Sequence, residues 1–289
     1  MFDPKIACMT LPYSELPFSR AVEGIARAGY KYLAFGTTHE GVETPGSEDD
    51  DARISELGRV VRDAGLEPVM MFQPRAIALT AEGGQDLFRR RIDQAKLMGV
   101  PQILVIGPWE YKSWPDEKHP ADVWAQMTDE WFAAVAPVVK YAEEMDVMLV
   151  AKPHTGITAT ASRCREAVDR VGSTHFRICY DGGNVHFYEG VDPAEDIRLC
   201  ADITVALCIK DHSGSRANPV FPYIGEGDVD HESMLRTLSE HGFSGPCPVE
   251  RFEGPNKKAE MSPELIDSLA AQALETVQAM VDRIRSGQS

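Results

Sequence analysis

Short apolar runs alternate with longer amphipathic stretches along the whole sequence. Each apolar run is about four to seven residues long, which is the length of a buried strand rather than of a helix. The stretches between the runs repeat apolar residues at helical spacing, which predicts helices with one buried face. Strands and helices in regular alternation predict a parallel sheet whose strands are connected by helices.

Eight of the apolar runs predict strands, and these are Ile6–Met9, Tyr32–Phe35, Pro68–Phe72, Ile103–Ile106, Met148–Ala151, Arg177–Tyr180, Val205–Ile209 and Pro248–Glu250. The predicted helices are Ser19–Ala28, Ala52–Ala64, Gly84–Met98, Ala121–Met145, Ala161–Val171, a weaker Ala194–Cys200, His231–His241 and Pro263–Arg285. Four of them run into a glycine suited to a left-handed cap, namely Gly29, Gly65, Gly99 and Gly242. Each such glycine is followed within a few residues by a predicted strand.

Eight strand-helix units in 289 residues predict a single (β/α)₈ barrel over residues 1–289 better than a doubly wound sheet. No linker divides the chain. The longest predicted loops are Thr37–Asp51, Pro108–Pro120 and Asp211–Asp228, and all three follow strands. Because the loops after strands build the functional face of such a barrel, we expect the site at that end.

The chain is acidic, with 29 Lys and Arg residues against 45 Asp and Glu residues and a net charge of -16. A phosphate backbone would be repelled at long range, so nucleic acid is not an expected partner. No apolar run approaches the roughly 18 residues of a membrane helix, and the first residues lack the pattern of a secretory signal. We expect a cytoplasmic protein that does not bind membranes, with six free cysteines because no CxxC pair occurs.

Charged residues follow four consecutive predicted strands. Strand five leads into Lys152, strand six into Asp181, strand seven into Lys210-Asp211 and strand eight into Glu250. A charged group at the end of an apolar strand needs a partner, so we expect a cluster of mixed sign at the barrel mouth. Ordinary ion pairs would explain any one of these residues, but the convergence of two carboxylates favours a functional role for Asp181 and Glu250.

Four segments of the sequence resemble the xylose isomerase-like TIM barrels, a family that includes sugar isomerases, sugar epimerases and related lyases. The matching segments are Cys179–Val185, Ile209–Asp211, Gly225–Asp230 and Pro248–Glu250. In that family a divalent metal is held by a Glu ending strand five, an Asp ending strand six, a His two residues before the Lys-Asp pair and a Glu ending strand eight. Asp181 and Glu250 match this pattern, whereas Lys152 and Cys208 occupy the other two positions.

The resemblance leaves the cofactor open. A protonated lysine cannot ligate a metal, so Lys152 disfavours an ion such as Mn²⁺, Mg²⁺, Co²⁺ or Zn²⁺. If a metal binds, the expected ligands are Asp181 and Glu250, with Cys208 or His186 as further ligands. The alternative is that the Lys152 ammonium stands where relatives hold an ion and supplies electrostatic stabilisation without coordination.

The resemblance implies an enzyme that abstracts a proton beside the carbonyl of a sugar or keto sugar, as an isomerase, epimerase or lyase. Glu250 is the expected base, Lys152 the expected cation or acid on the opposite face of the sugar, and Asp181 the group that holds Lys152. A Schiff base at Lys152 stays open as an alternative. The expected substrate-binding residues, all in or beside loops that follow strands, are Phe72, Trp109, His154, Asn184, His186, Lys210, His212 and Arg216.

Two further interpretations remain. A barrel whose metal site has decayed would serve as a sugar-binding protein or partner subunit, and a lyase would act on keto-glycosides. A DNA-repair nuclease is disfavoured by the acidic charge. A homo-oligomer is possible, with Trp124, Trp131 and Phe132 of the fourth predicted helix as contact residues.

Overall fold

Eight parallel strands form a barrel in a computed structural model, which describes residues 2–287. The barrel strands are β1 Lys5–Met9, β2 Tyr32–Ala34, β3 Glu67–Phe72, β4 Gln102–Val105, β5 Met148–Ala151, β6 Phe176–Asp181, β7 Thr204–Cys208 and β8 Pro246–Val249. Each strand pairs with the next one along the chain from β1 to β7, and β8 pairs with β1. Ile209 closes the ring, because its N–H donates to Pro248 O and its carbonyl accepts from Glu250 N, both at 2.8 Å. The predicted (β/α)₈ barrel is confirmed.

Helices surround the barrel. They are α1 Phe18–Arg27, α2 Asp51–Asp63, α3 Gly84–Met98, α4 Ala121–Met145, α5 Ala161–Val171, α6 Pro193–Asp196, α7 His231–Glu240 and α8 Pro263–Arg285. The glycines predicted as caps after α1, α2, α3 and α7 all have positive φ. The weaker helix predicted over Ala194–Cys200 is α6 followed directly by a 3₁₀ turn over Ile197–Leu199, so only its first part is α-helical.

Two loops that the sequence analysis treated as irregular each contain a short antiparallel hairpin. One pairs Thr38–His39 with Val42–Glu43, and the other pairs Tyr111–Ser113 with Glu117–Lys118. Strands of two or three residues are too short for a periodic signal, so the sequence pattern could not reveal them.

Side chains alternate between two apolar layers along each strand. On β6, Ile178 and Tyr180 face the helices, whereas Cys179 belongs to the smaller core inside the barrel. That inner core consists of Ala7, Met9, Ala34, Val69, Met70, Leu104, Val150, Cys179, Ala206 and Cys208. Many of these side chains are small, so the interior is filled without large rings.

Three other expectations concern surfaces and thiols. All six cysteines are buried and free, as predicted. Trp131 is only 4% exposed and belongs to the core between barrel and helices, so it cannot supply the contact surface expected of it. Within residues 2–287, no helix combines the length and apolar character needed to span a membrane.

Candidate active site

Strand alternation places four charged side chains at one end of the barrel interior. Val150 of β5 and Cys208 of β7 face inward, so the residues two positions later, Lys152 and Lys210, face inward as well. Asp181 ends β6 on the inward side, and Glu250 follows Val249 at the end of β8. The predicted convergence of strand ends therefore occurs, with Lys210 rather than Asp211 as the contribution of β7.

Two lysines and two carboxylates form what we call the mouth cluster: Lys152, Asp181, Lys210 and Glu250. Lys152 Nζ lies 2.9 Å from Asp181 Oδ2 and also contacts Glu250 Oε2. Lys210 Nζ lies 3.1 Å from Asp181 Oδ2 and 3.1 Å from Glu250 Oε1. Each ammonium thus bridges both acids, and all four residues are less than 10% exposed.

The electrostatics of the mouth cluster favour the charged forms of Glu250 and Lys152. Burial opposes ionisation of Glu250, but Lys152 and Lys210 outweigh it and keep the pKa of this carboxyl well below its usual value. Burial likewise opposes the charge on Lys152, but Asp181, Cys208 and Glu250 raise the pKa of this ammonium well above its usual value. The ionised Glu250 and the protonated Lys152 therefore stabilise each other in a buried setting.

Cys208 takes part in the cluster as a thiol. Burial first, and then the Glu250 carboxylate, raise the pKa of this thiol well above its usual value. Its Sγ donates to Glu250 Oε2 at 2.9 Å. A protonated Cys208 is therefore a hydrogen-bond donor to the carboxylate and not a thiolate.

Glycine allows β6 and β7 to approach each other at this point. A Cβ on Gly183 would lie 2.6 Å from Lys210 Cγ and 2.7 Å from Lys210 O, which a side chain cannot tolerate. Asp181 begins the turn after β6, and its Oδ1 accepts from the backbone N–H of Asn184 at 2.8 Å. The Asp-Gly-Gly-Asn segment thus fixes the Asp181 carboxylate and leaves space for Lys210.

Asp211 organises the loop after β7 instead of joining the mouth cluster. Its Oδ2 accepts from the N–H groups of Gly225 at 2.8 Å and Gly227 at 3.0 Å. Its Oδ1 accepts from the N–H groups of His212 at 2.9 Å and Val229 at 3.2 Å. A side chain at Gly227 would collide with the Asp211 carboxylate, which explains the glycine.

A cavity of about 400 Å³ opens above the mouth cluster. It is lined by Leu11, Phe72, Ile106, Lys152, His154, Asn184, Phe187, Tyr188, Lys210, Phe221, Glu250, Arg251 and Lys258. A second cavity of about 510 Å³ shares Leu11, Phe72, Ile106 and Glu250 with the first. Both volumes lie within the roughly 300–1,000 Å³ of small-molecule sites. The barrel mouth is therefore open above Glu250, as an active site requires.

Four of the predicted substrate-binding residues line the main cavity, namely Phe72, His154, Asn184 and Lys210. His154 Nε2 lies 3.3 Å from the Tyr188 hydroxyl, and its ring packs on Tyr188 and Trp109. Burial, followed by Lys152 and Lys210, lowers the pKa of His154 to about 3, so its imidazole is neutral at pH 7. The side-chain amide of Asn184 donates a hydrogen bond to Pro153 O at 2.6 Å.

The other four predicted substrate contacts are outside the described lining of this cavity. Trp109 lines a neighbouring cavity of about 370 Å³. His186 and His212 bond to each other, with 2.8 Å between their Nδ1 atoms. Arg216 ties loops together, donating to Tyr188 O at 2.7 Å and to the Tyr111 hydroxyl at 3.0 Å.

The donor set does not fit a divalent metal. Asp181, Cys208 and Glu250 place ligand atoms within 4.8 Å of one another, but two ammonium groups already contact these carboxylates and Cys208 is a thiol. His186 is engaged with His212 and is not part of this group. Of the two further ligands expected from the sequence, Cys208 lies in this three-residue group and His186 does not, and a metal bound there would have to displace two lysines.

Seven residues of the cavity lining were not predicted from the sequence as site residues, and the polar ones among them are Tyr188, Arg251 and Lys258. Arg251 directly follows Glu250 on the chain, which was a usable signal. Tyr188 lies in a turn after β6, and Lys258 lies in the loop between β8 and α8. Neither position belongs to a periodic pattern.

Solved structures with a similar fold cover nearly the whole chain. The xylose isomerase domain protein from Planctomyces limnophilus is 16% identical with a TM-score of 0.73, covering 99% of this chain and 98% of its own. A D-tagatose 3-epimerase-like protein is 16% identical with a TM-score of 0.75, covering 98% of this chain and 99% of its own. The D-allulose 3-epimerase from Methylomonas sp. is 18% identical with a TM-score of 0.71, covering 97% of this chain and 98% of its own. These similarities concern the fold.

The sequence itself matches a family model. No curated protein sequence matches the chain significantly. The model of the xylose isomerase-like TIM barrel, however, matches residues 22–272. That range includes the mouth cluster and seven of the eight barrel strands, β2 to β8. The chain belongs to the xylose isomerase-like TIM barrel family.

Proposed function

We propose that the cavity binds a sugar or keto sugar and that Glu250 transfers a proton beside its carbonyl group. Lys152 and Lys210 would stabilise the negative charge that develops on the oxygen. The observation that supports this proposal best is the mouth cluster itself, because its Glu250, Lys152 and Lys210 all line an open cavity. Similarity to sugar epimerases in fold supports the substrate class only indirectly.

The reaction begins when a substrate oxygen takes over a lysine contact. A carbonyl oxygen that accepts a hydrogen bond from Lys152 or Lys210 competes with the Glu250 carboxylate for that ammonium. Loss of the lysine contact raises the proton affinity of Glu250, which then suffices for proton abstraction. The proton moves from carbon to Glu250, the C–H electrons form a carbon-carbon double bond, and the carbonyl electrons move to the oxygen held by the ammonium. For isomerisation, the hydroxyl proton of the neighbouring carbon passes to the former carbonyl oxygen, Glu250 returns its proton to the former carbonyl carbon, and the new carbonyl forms on the neighbouring carbon.

The arrangement favours proton transfer on one face of the substrate. Lys152 contacts Glu250 directly, which favours an arrangement with both residues on one side of the sugar over the opposite faces expected from the sequence. Glu250 is also the carboxylate that lines both cavities, among the described residues. One carboxylate that moves a proton between neighbouring carbons is an aldose-ketose isomerase arrangement, and we propose this reaction in preference to epimerisation.

A Schiff base at Lys152 has less support. An amine nucleophile must lose its proton, whereas Asp181, Cys208 and Glu250 raise the pKa of Lys152 against the effect of burial. Lys152 therefore acts as a cation in this proposal.

The experiment is substrate deuterium incorporation in D₂O, measured by NMR. The panel contains D-glucose, D-fructose, D-xylose, D-xylulose, D-glucuronate and D-fructose 6-phosphate. The wild-type protein should exchange the carbon-bound proton beside the carbonyl of at least one sugar, and Glu250→Gln should slow this by about 10²–10⁴-fold. The matched control Glu67→Gln alters an exposed acid that pairs with Lys5 and should leave the rate unchanged. Exchange at the wild-type rate in Glu250→Gln would refute the role of Glu250.

One observation favours a second candidate, a sugar-binding barrel without catalysis. Glu250 is held ionised by two lysines, and a carboxyl with a strongly lowered pKa is a weak base in the resting site. Sugar binding by calorimetry without any exchange across the same panel would establish this candidate and exclude the enzymatic one.

A further inference from the structure

The main cavity carries more positive than negative charge. Its described lining contains four cations, Lys152, Lys210, Arg251 and Lys258, and one acid, Glu250. Lys152 and Lys210 are balanced by Asp181 and Glu250 within the mouth cluster. Arg251 and Lys258 are the two cations of the lining that the acids of the mouth cluster do not balance.

Arg251 and Lys258 share a single acid. Arg251 Nε donates to Glu253 Oε1 at 3.1 Å, and Lys258 Nζ lies 3.8 Å from the same oxygen. Glu253 is only 1% exposed, so it reaches these cations from inside the protein. The local sum of these three groups is one positive charge, in a chain whose net charge is -16.

The two terminal nitrogens of the Arg251 guanidinium are available to bind a ligand. Its carbon lies 4.2 Å from the centre of the Phe221 ring, which also lines the cavity. Only its Nε is used by Glu253, and neither terminal nitrogen hydrogen-bonds to another described residue. Two free donors in a plane match the paired oxygens of a carboxylate or phosphate.

Lys258 adds a second donor at the same rim. Its Nζ donates to Leu11 O at 3.1 Å, which uses one of three N–H groups. Burial first, and then the neighbouring Arg251 guanidinium, lower the pKa of Lys258 against the opposing effect of Glu253. An anion placed between these two cations would relieve their repulsion.

We propose that the sugar taken by this cavity carries an anionic group, a carboxylate or a phosphate monoester, which Arg251 and Lys258 bind at the rim. The carbonyl end of the same molecule then reaches Glu250 and the lysines of the mouth cluster. The identity of the ligand as a sugar rests on the proposed function above, whereas the anion preference rests on the rim cations alone. Charge complementarity would also attract such a ligand into a cavity of an otherwise acidic protein.

Calorimetry with matched ligands tests this proposal. D-glucuronate is compared with D-glucose for the carboxylate, and D-fructose 6-phosphate with D-fructose for the phosphate, at about 50 mM and about 300 mM salt. At low salt, at least one anionic sugar should bind about tenfold or more tightly than its neutral counterpart, and salt should reduce the preference. The ligand pair with the larger difference in affinity shows whether the site prefers a carboxylate or a phosphate.

Three variants localise the effect. Arg251→Gln and Lys258→Gln should each remove most of the preference, whereas Lys257→Gln should keep it because Lys257 is exposed and pairs with Glu260. If Arg251→Gln fails to fold, the binding preference of Lys258→Gln and the salt dependence of the wild-type preference still test whether the rim cations bind the anion. Equal binding of anionic and neutral sugars, or a preference that survives in both rim variants, would overturn the proposal.

The outcomes also separate this inference from the proposed function. Tight, rim-dependent binding of an anionic sugar without deuterium exchange would support the anion site and refute the catalysis. Exchange with a neutral sugar and no anion preference would refute the anion site and support the catalysis.

Discussion

Two buried carboxylates of this barrel are each paired with two cations, yet their surroundings differ. Asp181 lies in the mouth cluster between Lys152 and Lys210. Asp267 lies on α8, where it accepts from both terminal nitrogens of Arg20 at 3.1 and 2.8 Å and from Arg27 at 2.5 Å. The first pairing lies beneath a cavity, whereas the second joins helices α1 and α8.

The choice of cation fits this difference. A guanidinium offers a planar fork of fixed geometry, so Arg20 fastens Asp267 in one orientation, and the Tyr13 hydroxyl adds a donor at 3.2 Å. An ammonium is a point charge on a flexible stem, and each lysine at the mouth is shared between two acids. Neither lysine is aligned for a hydrogen bond to Asp181 Oδ2, although both lie within ion-pair distance of it. The mouth cluster can therefore exchange a partner for a substrate oxygen, whereas the Asp267 cluster serves as a structural tie.

The largest predicted effect separates the two carboxylates directly. Asp181→Asn and Asp267→Asn each remove one buried charge, so each should lower the free energy of unfolding by about 3–5 kcal/mol. Only Asp181→Asn should also lower the deuterium exchange rate, by about 10²-fold or more, because Lys152 and Lys210 lose the carboxylate that positions them. Asp267→Asn should keep the exchange rate within about threefold. Urea unfolding and exchange on both variants check this, and equal losses of exchange would contradict the comparison.

A second prediction converts the mouth cluster into a metal site. The double variant Lys152→Glu with Cys208→His replaces one ammonium by a carboxylate and a thiol by an imidazole, next to Asp181 and Glu250. It should bind about one Mn²⁺ per chain, since carboxylate and imidazole ligands suit this ion. The wild-type protein should bind none under the same conditions, as measured by elemental analysis after gel filtration.

The control for that experiment is the matched change at the other cluster. Arg20→Glu with Arg27→His places the same residue types around Asp267 and should bind no Mn²⁺. Manganese uptake by the wild-type protein equal to that of the double variant would contradict the interpretation that lysines exclude the ion.

A smaller effect is expected from the loops above the cavity. Arg216→Gln removes the donors to Tyr188 O and the Tyr111 hydroxyl, so Tyr188 loses a support at the cavity wall. KM for the substrate should rise about tenfold with a smaller change in kcat. Arg163→Gln, which alters an exposed pair on α5, is the control and should change neither constant. An unchanged KM in Arg216→Gln would show that the loop needs no such support.

The smallest effect is a pH dependence. His154 has a pKa of about 3 in the folded protein against an ordinary value of 6.5, so the unfolded chain binds its proton first. Its contribution to stability is therefore complete above about pH 6.5 and declines as the pH falls toward 3. Chemical unfolding should be measured between pH 7 and 4. The free energy of unfolding should fall less steeply with decreasing pH in His154→Gln than in the wild-type protein, and the difference in slope should correspond to at most about one proton taken up on unfolding. An identical slope in both proteins would contradict a neutral, buried His154.

The sequence predicted the barrel because alternating strand and helix patterns recur along it. It also predicted that Asp181 and Glu250 meet, because both end apolar runs and strand ends share one rim. It left Lys210 and Asp211 undecided, although the inward position of Cys208 two residues earlier points to Lys210. Arg251 and Lys258 were missed as rim cations, since loop conformation decides where these side chains lie. The bond between His186 and His212 joins two loops and has no signature in spacing.

In the proposed function, the Lys152 ammonium supplies the electrostatic stabilisation for which the family resemblance implies a metal ion. The most direct measurement is deuterium exchange into the substrate by wild-type protein after treatment with EDTA, compared with the same protein after addition of Mn²⁺. Our account predicts equal exchange rates in both samples and a loss of exchange in Lys152→Met. Exchange that disappears with EDTA and returns with Mn²⁺ would contradict it.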